Sequence, residues 1–249
     1  MSVKSNLLVV KAGDSFPDLV KAYGDFEDWI IKGLGQDRDR IQVVNAEKSH
    51  PLPDPETIAG AVISGAHAMV TQDLDWSLAL EAWTREMVAA RVPLLGICYG
   101  HQIIAKAMGG RVDFHPRGSE VGTRRIHCLP AAKKDVLFRE LPENFMVHLF
   151  HSQSVTHLPA AAEVLAKNDF DPYQAFCIKK TAWGVQFHPE ADAAVTRGYI
   201  ENLTPDLEKE GQNPNQLIDT LGQTPYAAAL LKRFGDLVMD DQCRLRVQS

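Results

Sequence analysis

Short apolar runs alternate with helical patterns through the first 110 residues of the chain. The apolar runs predict strands at residues 6–11, 41–44, 60–65 and 93–98. The helical patterns cover residues 18–34 and 76–90. Strands that are apolar on both faces and separated by helices are typical of a parallel sheet covered on both sides. This half of the chain therefore predicts an α/β fold.

The pattern changes after residue 110 to shorter segments in which apolar and polar residues alternate. Such segments are typical of antiparallel hairpins, and we interpret them as an excursion at the sheet edge that leads back to a strand at 183–188. They lie at residues 120–129, 145–150, 163–168 and 173–180.

The last 45 residues combine a stretch rich in Pro, Asn and Gln at 211–216 with a helical pattern at 225–238. We expect one domain over residues 1–249, with a catalytic core at about 6–203. The helical extension at about 204–249 then either packs on the core or contacts a partner.

Composition excludes several classes of protein. The chain of 249 residues is 45% hydrophobic and 23% charged, and no apolar run approaches the roughly 20 residues that cross a bilayer. The apolar run after the N-terminus is too short for a signal peptide, so we expect a cytoplasmic protein without membrane contact. A net charge of −6 disfavours nucleic acid as a ligand.

The four cysteines do not have the spacing of a disulfide framework or a zinc site, because no two of them form a C-x-x-C pair. We therefore expect no metal. Three of them are expected to be structural, and Cys98 is the exception. The cysteines are Cys98, Cys128, Cys177 and Cys243.

Cys98 lies where an apolar strand turns into a helix, in the sequence Gly96-Ile97-Cys98-Tyr99-Gly100. The two glycines permit a sharp turn that projects the thiol from the strand tip. The positive end of the following helix dipole favours the thiolate. This pattern predicts a nucleophile, although glycines at such a position also occur where a helix simply packs closely on a sheet.

A base and a carboxylate follow about ninety residues later, in Phe187-His188-Pro189-Glu190. Proline restricts its own backbone and that of His188, which fixes the position of Glu190 beyond the strand end. In a relay of this kind the imidazole takes the thiol proton and the carboxylate orients the imidazole. The alternative is a histidine that only makes local hydrogen bonds at the end of a strand.

The two motifs together resemble those of the class I, triad-type glutamine amidotransferases, a glutaminase module also found in GMP synthase and carbamoyl phosphate synthetase. The resemblance implies a flavodoxin-like three-layer α/β sandwich with a mostly parallel central sheet and an antiparallel edge excursion. It also implies a triad of Cys98, His188 and Glu190. Cys98 would attack the side-chain amide of glutamine, release ammonia and leave a glutamyl thioester for water to hydrolyse.

The resemblance also predicts two oxyanion donors, the backbone N–H groups of Tyr99 and Ala66. Ala66 is a departure, since the family carries Gly-Gly-Pro or Asn-Gly-Pro where this chain has Ser64-Gly65-Ala66-His67. An ordinary strand-to-helix loop is the alternative for this segment. The residues that the resemblance assigns to substrate binding are Gly65, Gln102, Gln153 and Ser154. Gln102 otherwise fits an exposed helix position, and Gln153 and Ser154 fit plain hairpin residues.

The other histidines are not expected to act in catalysis. His101 lies within the helix after Cys98 and should point away from the strand tip. His148, His151 and His157 are spaced as in a metal cluster, but they lack acidic or thiol neighbours, so we expect surface or loop histidines.

Three functions remain open at this point. The first is a glutaminase or amidotransferase that passes ammonia to a synthetase on a separate chain, since no Gly-rich phosphate loop is present and no cofactor is expected. The second is a hydrolase of γ-glutamyl peptides with the same triad. A roomy pocket on the leaving-group side, near Ala66 and His67, would favour this hydrolase. The third is a binding or regulatory protein that keeps the fold without the chemistry.

Overall fold

The computed structural model describes residues 6–240. Its strands are β1 (Leu7–Lys11), β2 (Ile41–Asn45), β3 (Gly60–Ile63), β4 (Leu94–Ile97), β5 (Arg111–Phe114), β6 (Glu120–Cys128), β7 (Asn144–His151), β8 (Gln153–His157), β9 (Ala162–Lys167), β10 (Ala175–Ile178) and β11 (Ala182–Val185). Its α-helices are α1 (Pro17–Tyr23), α2 (Phe26–Leu34), α3 (Asp75–Ala89), α4 (Tyr99–Ala107), α5 (Ala193–Lys209), α6 (Pro214–Asp219) and α7 (Pro225–Met239).

Within residues 6–240, nine strands form one sheet in the order β2-β1-β3-β4-β11-β10-β9-β6-β7. The pairs from β2 to β11 are parallel, and the pairs from β11 to β7 are antiparallel. The remaining strands, β5 and β8, form a separate antiparallel pair. The predicted parallel sheet with an antiparallel edge excursion is confirmed.

Helices cover both faces of the parallel part of the sheet. In β1, Leu7 and Val9 pack in one apolar cluster with α2 and α7, while Leu8 and Val10 pack in another with α3 and α4. This alternation follows from the two-residue period of a strand, which sends successive side chains to opposite faces. The result is the predicted three-layer α/β sandwich.

The single helix predicted at 18–34 is wrong, because the chain breaks between α1 and α2. Gly24 adopts a positive φ of 83°, which residues other than glycine rarely adopt. Asp25 then caps α2, and its side chain and that of Asp28 accept hydrogen bonds reciprocally from backbone N–H groups. The apolar periodicity continues across this break, and for that reason the pattern alone did not show it.

The strand predicted at 183–188 is also shorter in the structure. β11 ends at Val185, and the chain then leaves the ladder, so that the N–H of His188 donates to the carbonyl of His148 in β7. α5 was not predicted, and the boundary that we placed at about 203 lies inside it. α7 packs on the core through Leu230 and Leu231, which are fully buried. Cys243, which was expected to be structural, lies outside the described residues.

The turn from β4 to α4 is held by close backbone packing at two glycines. A Cβ at Gly96 would lie 2.3 Å from the carbonyl oxygen of Gly100. A Cβ at Gly100 would lie 2.6 Å from the carbonyl oxygen of Ile63. The first turn of α4 is therefore fixed directly against β3 and β4, and Cys98 lies between the two glycines.

We expect Gly100→Ala to lower the free energy of unfolding by about 1–2 kcal/mol, the overpacking cost less the gain in helix propensity. Overpacking costs typically 1–3 kcal/mol and occasionally more, and here it acts against backbone that cannot rotate away. The higher helix propensity of alanine offsets only about 1 kcal/mol of this overpacking cost. Urea unfolding measures the change. Gly222→Ala is the matched control, since its Cβ would approach no atom closer than 3.9 Å, and a similar loss in this variant would refute the packing argument.

Candidate active site

Cys98 occupies a strained turn at the carboxyl end of the parallel strands. Its φ of 50° and ψ of −96° are unusual for a residue with a side chain. The turn is held from both sides, because the N–H of Cys98 donates to Val185 (2.9 Å) and its carbonyl accepts from Gln102 (3.1 Å). The side chain is 7% exposed and lines a cavity. This sharp turn matches the geometry expected of a nucleophile at a strand tip.

His188 and Glu190 form a buried ion pair beside this turn. Nδ1 of His188 lies 2.7 Å from Oε1 of Glu190, and both side chains are almost fully buried. Nε2 of His188 is buried and has no hydrogen-bond partner in residues 6–240. Cys98 and His188 line the same cavity and Glu190 pairs with His188, so the structure brings together the three side chains that the motifs named.

The electrostatics of this series favour a charged imidazole. Burial alone would lower the pKa of His188, but the charges of Glu190 and Cys98 and the hydrogen bond to Glu190 outweigh burial and raise the pKa to about 9. A pKa raised in this way favours the protonated imidazole of His188 at neutral pH.

Aromatic rings hold His188 in place, and sequence reasoning missed them. Phe150 stacks on His188 with ring centroids 3.6 Å apart, and Tyr199 stacks on the other face of Phe150 at 3.9 Å. The hydroxyl of Tyr199 forms hydrogen bonds with Ser15 (2.9 Å) and His67 (3.3 Å). Nothing in the sequence around Tyr199 indicated this role, because it depends on where α5 packs.

The structure brings both proposed oxyanion donors to the cavity. Tyr99 is the first residue of α4, where the backbone N–H has no partner within the helix. Ala66 follows β3 and also lines the cavity. Gly65 lies against His188, since a Cβ there would lie 3.0 Å from Cε1 of the imidazole. Gly65 thus lets the loop approach the ion pair closely.

Gln102 and Gln153 lie side by side in the wall of the cavity. Nε2 of Gln102 donates to the carbonyl of Gln153 (2.7 Å) and to the side chain of Gln186 (3.1 Å). Gln102 is 4% exposed, so the alternative of an exposed helix residue is wrong. Oε1 of Gln153 is buried and unpartnered, which leaves an acceptor for a ligand. Ser154 is buried too, but it is the next residue along β8 and does not line the cavity.

The expectation of surface or loop histidines is wrong for His148 and His151, which are buried in β7. His151 lines the cavity, and its Nε2 lies 3.1 Å from Glu120. Burial opposes a charge on His151, but Glu120 outweighs it and raises the pKa. Such pairing makes a buried histidine tolerable in a strand. His157 is exposed, as expected.

His101 is fully buried and packs on Phe176, with ring centroids 4.7 Å apart. Burial lowers its pKa to about 4, so it is a neutral core residue. Among residues 6–240, no group of His, Cys, Asp and Glu side chains is arranged to hold a metal ion.

The cavity in front of Cys98 has a volume of about 550 Å³. Such a volume lies in the range of sites that bury drug-sized molecules, and its walls are mostly apolar. Side chains from α5 and from the segment after β5 extend the cavity beyond the triad.

No helix in residues 6–240 is long and apolar enough to cross a membrane.

The fold, the strained cysteine turn and the buried His–Glu pair define a class of three-layer α/β proteins with a cysteine at a strand tip. The chain belongs to one family of that class, described as glutamine amidotransferase class-I, whose sequence model matches residues 18–203. The resemblance seen in the two motifs is thereby confirmed.

Curated relatives include two kinds of protein. Gamma-glutamyl peptidase 4 of Arabidopsis thaliana is 31% identical over 74% of this chain and 74% of its own length. The GMP synthase of Bacteroides fragilis YCH46 is 33% identical over 54% of this chain, but over only 25% of its own length. The chain thus matches most of a peptidase and one quarter of a synthase.

Solved structures share the fold at low sequence identity. A glutamine amidotransferase from Thermotoga maritima gives a TM-score of 0.72 at 21% identity, covering 95% of this chain and 99% of that one. One from Methylobacillus flagellatus gives 0.68 at 22% identity, covering 98% and 95%. These likenesses show the flavodoxin-like fold of the family and carry no argument about substrate.

Proposed function

We propose that this protein is a γ-glutamyl hydrolase, which cleaves a γ-glutamyl amide whose leaving group is larger than ammonia. The observation that carries the proposal is the large cavity in front of Cys98. A site for glutamine alone needs no space beyond the amide nitrogen, whereas this cavity continues past the triad along α5. The match to most of a γ-glutamyl peptidase supports the same choice.

The proposed reaction begins with attack of the Cys98 thiolate on the γ-carbonyl carbon, which forms a C–S bond. The carbonyl oxygen becomes an oxyanion, and the N–H groups of Tyr99 and Ala66 donate hydrogen bonds to it. His188 donates its proton to the amide nitrogen, and the C–N bond breaks. The products of this half-reaction are a free amine and a glutamyl thioester on Cys98.

Water completes the cycle. His188, now neutral, accepts a proton from the water that attacks the thioester carbon. The C–S bond breaks, glutamate leaves, and the thiolate of Cys98 and the imidazolium of His188 are restored. Glu190 keeps the imidazole in one orientation throughout, since it holds Nδ1 while Nε2 serves both half-reactions.

Glutamine hydrolysis is the second candidate. The match to GMP synthases supports it, and in that case the ammonia would pass to a synthetase on a separate chain. The same three side chains would act, and only the leaving group would differ. This candidate does not explain the extent of the cavity.

The two candidates are distinguished by glutamate release from purified protein with glutamine or with γ-glutamyl compounds that have larger leaving groups, both neutral amides and dipeptides. We expect kcat/KM for the best of the larger substrates to exceed that for glutamine by at least about tenfold, the usual scale for a filled apolar pocket. Glutamine as the better substrate would instead establish a glutaminase. Release from neither substrate would favour the third hypothesis, a protein without the chemistry.

A further inference from the structure

The cavity extends along one face of α5 away from the triad. Tyr199, Leu203, Leu207 and Glu210 line it, and their spacing of three or four residues places them on a single helix face. Tyr199 contacts Phe150, the ring that stacks on His188. From Tyr199 to Glu210 the helix rises about 16 Å at 1.5 Å per residue. This length equals that of four to five extended residues at about 3.3–3.6 Å each.

An exposed aromatic ring also lines this cavity. Phe114 of β5 is 57% exposed and lines the cavity. It pairs in register with Gln153 of β8, so the two side chains lie on the same face of that strand pair. Phe114 is therefore next to the glutamines beside Cys98, and an apolar ligand would remove its ring from water.

The segment after Phe114 is fixed to three other parts of the protein. The N–H of His115 donates to the carbonyl of Ser152, and its ring stacks on Phe170 at 4.0 Å. The N–H and the hydroxyl of Ser119 both donate to Glu210 at the end of α5. The wall is thus formed before a ligand arrives, which lowers the entropic cost of binding.

The charges at the outer end of the cavity do not favour an anion. Lys209 lies 2.7 Å from Asp206, so its charge is paired. Glu210 adds a second carboxylate, and burial lowers the pKa of His115, which is therefore neutral at pH 7. Of the charged side chains that line the cavity, Asp206 and Glu210 would repel a leaving group with a carboxylate and only Lys209 would attract it.

We infer that the cavity lined by α5 and Phe114 is a subsite for the leaving group. It selects a leaving group that has an apolar, aromatic-sized body and no charged substituent. The inference rests on the proposed function. Leu203, Leu207 and Phe114 contact the apolar body, while Gln102 and Gln153 face the γ-glutamyl part.

Three γ-glutamyl amides test the subsite. γ-Glutamylmethylamide and γ-glutamylphenethylamide are both neutral in the leaving group and differ only in its apolar body. γ-Glutamylphenylalanine adds a carboxylate to the phenethyl group. We expect kcat/KM for the phenethylamide to exceed that for the methylamide by at least about tenfold, and to exceed that for the phenylalanine compound as well. Equal values for the two amides, or faster cleavage of the phenylalanine compound, would overturn the inference.

Phe114→Ser is the variant that probes the wall. We expect it to reduce the preference for the phenethylamide over the methylamide by about threefold or more, because a partly exposed ring covers less apolar surface than a buried one. Tyr226→Ser is the matched control, since Tyr226 is 51% exposed on α7 and lies outside the cavity. A reduced preference in both variants, or in neither, would contradict the assignment.

Failure of the proposed function gives a different result from failure of the subsite. If none of the amides is cleaved, the proposed function is wrong, and binding of the intact amides is measured by calorimetry on the Cys98→Ala protein. Tighter binding of the phenethylamide than of the methylamide would still support the subsite. Equal affinities would refute it.

Discussion

The Cys98→Ala protein is expected to lose at least about 10⁴-fold in the rate of γ-glutamyl amide hydrolysis while keeping its fold. Removal of a nucleophile that acts together with a base costs this much or more, because the remaining groups provide only binding and oxyanion stabilisation. The backbone strain at this position is unchanged, since alanine also has a side chain. Glutamate release and circular dichroism measure the two properties.

Cys177→Ala is the matched control for this loss. Cys177 is a buried cysteine in β10, like Cys98 almost inaccessible, and it does not line the cavity. Its thiol is not expected to react, since burial raises its pKa well above the usual range. Hydrolysis that survives in the Cys98→Ala protein, or that disappears equally in the Cys177→Ala protein, would exclude Cys98 as the nucleophile.

Glu190→Gln is expected to lower kcat by about 10²-fold or more and to bring the pKa of His188 down from about 9. An amide in place of the carboxylate removes the charge that stabilises the imidazolium and can select the wrong tautomer. Titration of the His188 ring followed by NMR measures the pKa. Glu201→Gln changes an exposed carboxylate on α5 and serves as control. An unchanged titration of His188 in the Glu190→Gln protein would refute the pairing.

The same substitution has a predictable effect on stability against pH. The pKa of His188 is raised in the folded protein relative to about 6.5 when unfolded, so the pair stabilises the fold fully below pH 6.5. This contribution is lost as the pH rises from 6.5 through 9. The difference in free energy of unfolding between the native and Glu190→Gln proteins should therefore be larger at pH 6 than at pH 9.5. Urea unfolding at the two pH values measures it, and an opposite order would contradict the assigned sign.

The sequence predicted the sheet and the three central side chains because their signals are local. Cys98 lies between two glycines, and His188 and Glu190 flank a proline, so each turn is specified by neighbouring residues. The parallel strands are apolar on both faces, which separates them from the alternating strands after residue 110.

The wall of the cavity was not predicted because it depends on packing between distant segments. α5 has no pattern that indicates contact with His188, yet Tyr199 reaches it through Phe150. His148 and His151 were expected at the surface because the sequence shows no acidic or thiol neighbours for them. Their partners, Thr123 and Glu120, come from the neighbouring strand, and only the register of β6 and β7 shows this.

The strained backbone at Cys98 means that the residue proposed to be most important for activity is locally unfavourable for folding. A positive φ costs of order 1–3 kcal/mol for a residue with a side chain, and glycine would avoid this cost. Folding alone therefore provides no reason for a cysteine at this position. A relative released from selection for catalysis would tend to lose this side chain early, while the two flanking glycines remained for packing. The identity of this one residue would then distinguish active members of such a lineage from those that retain only the architecture.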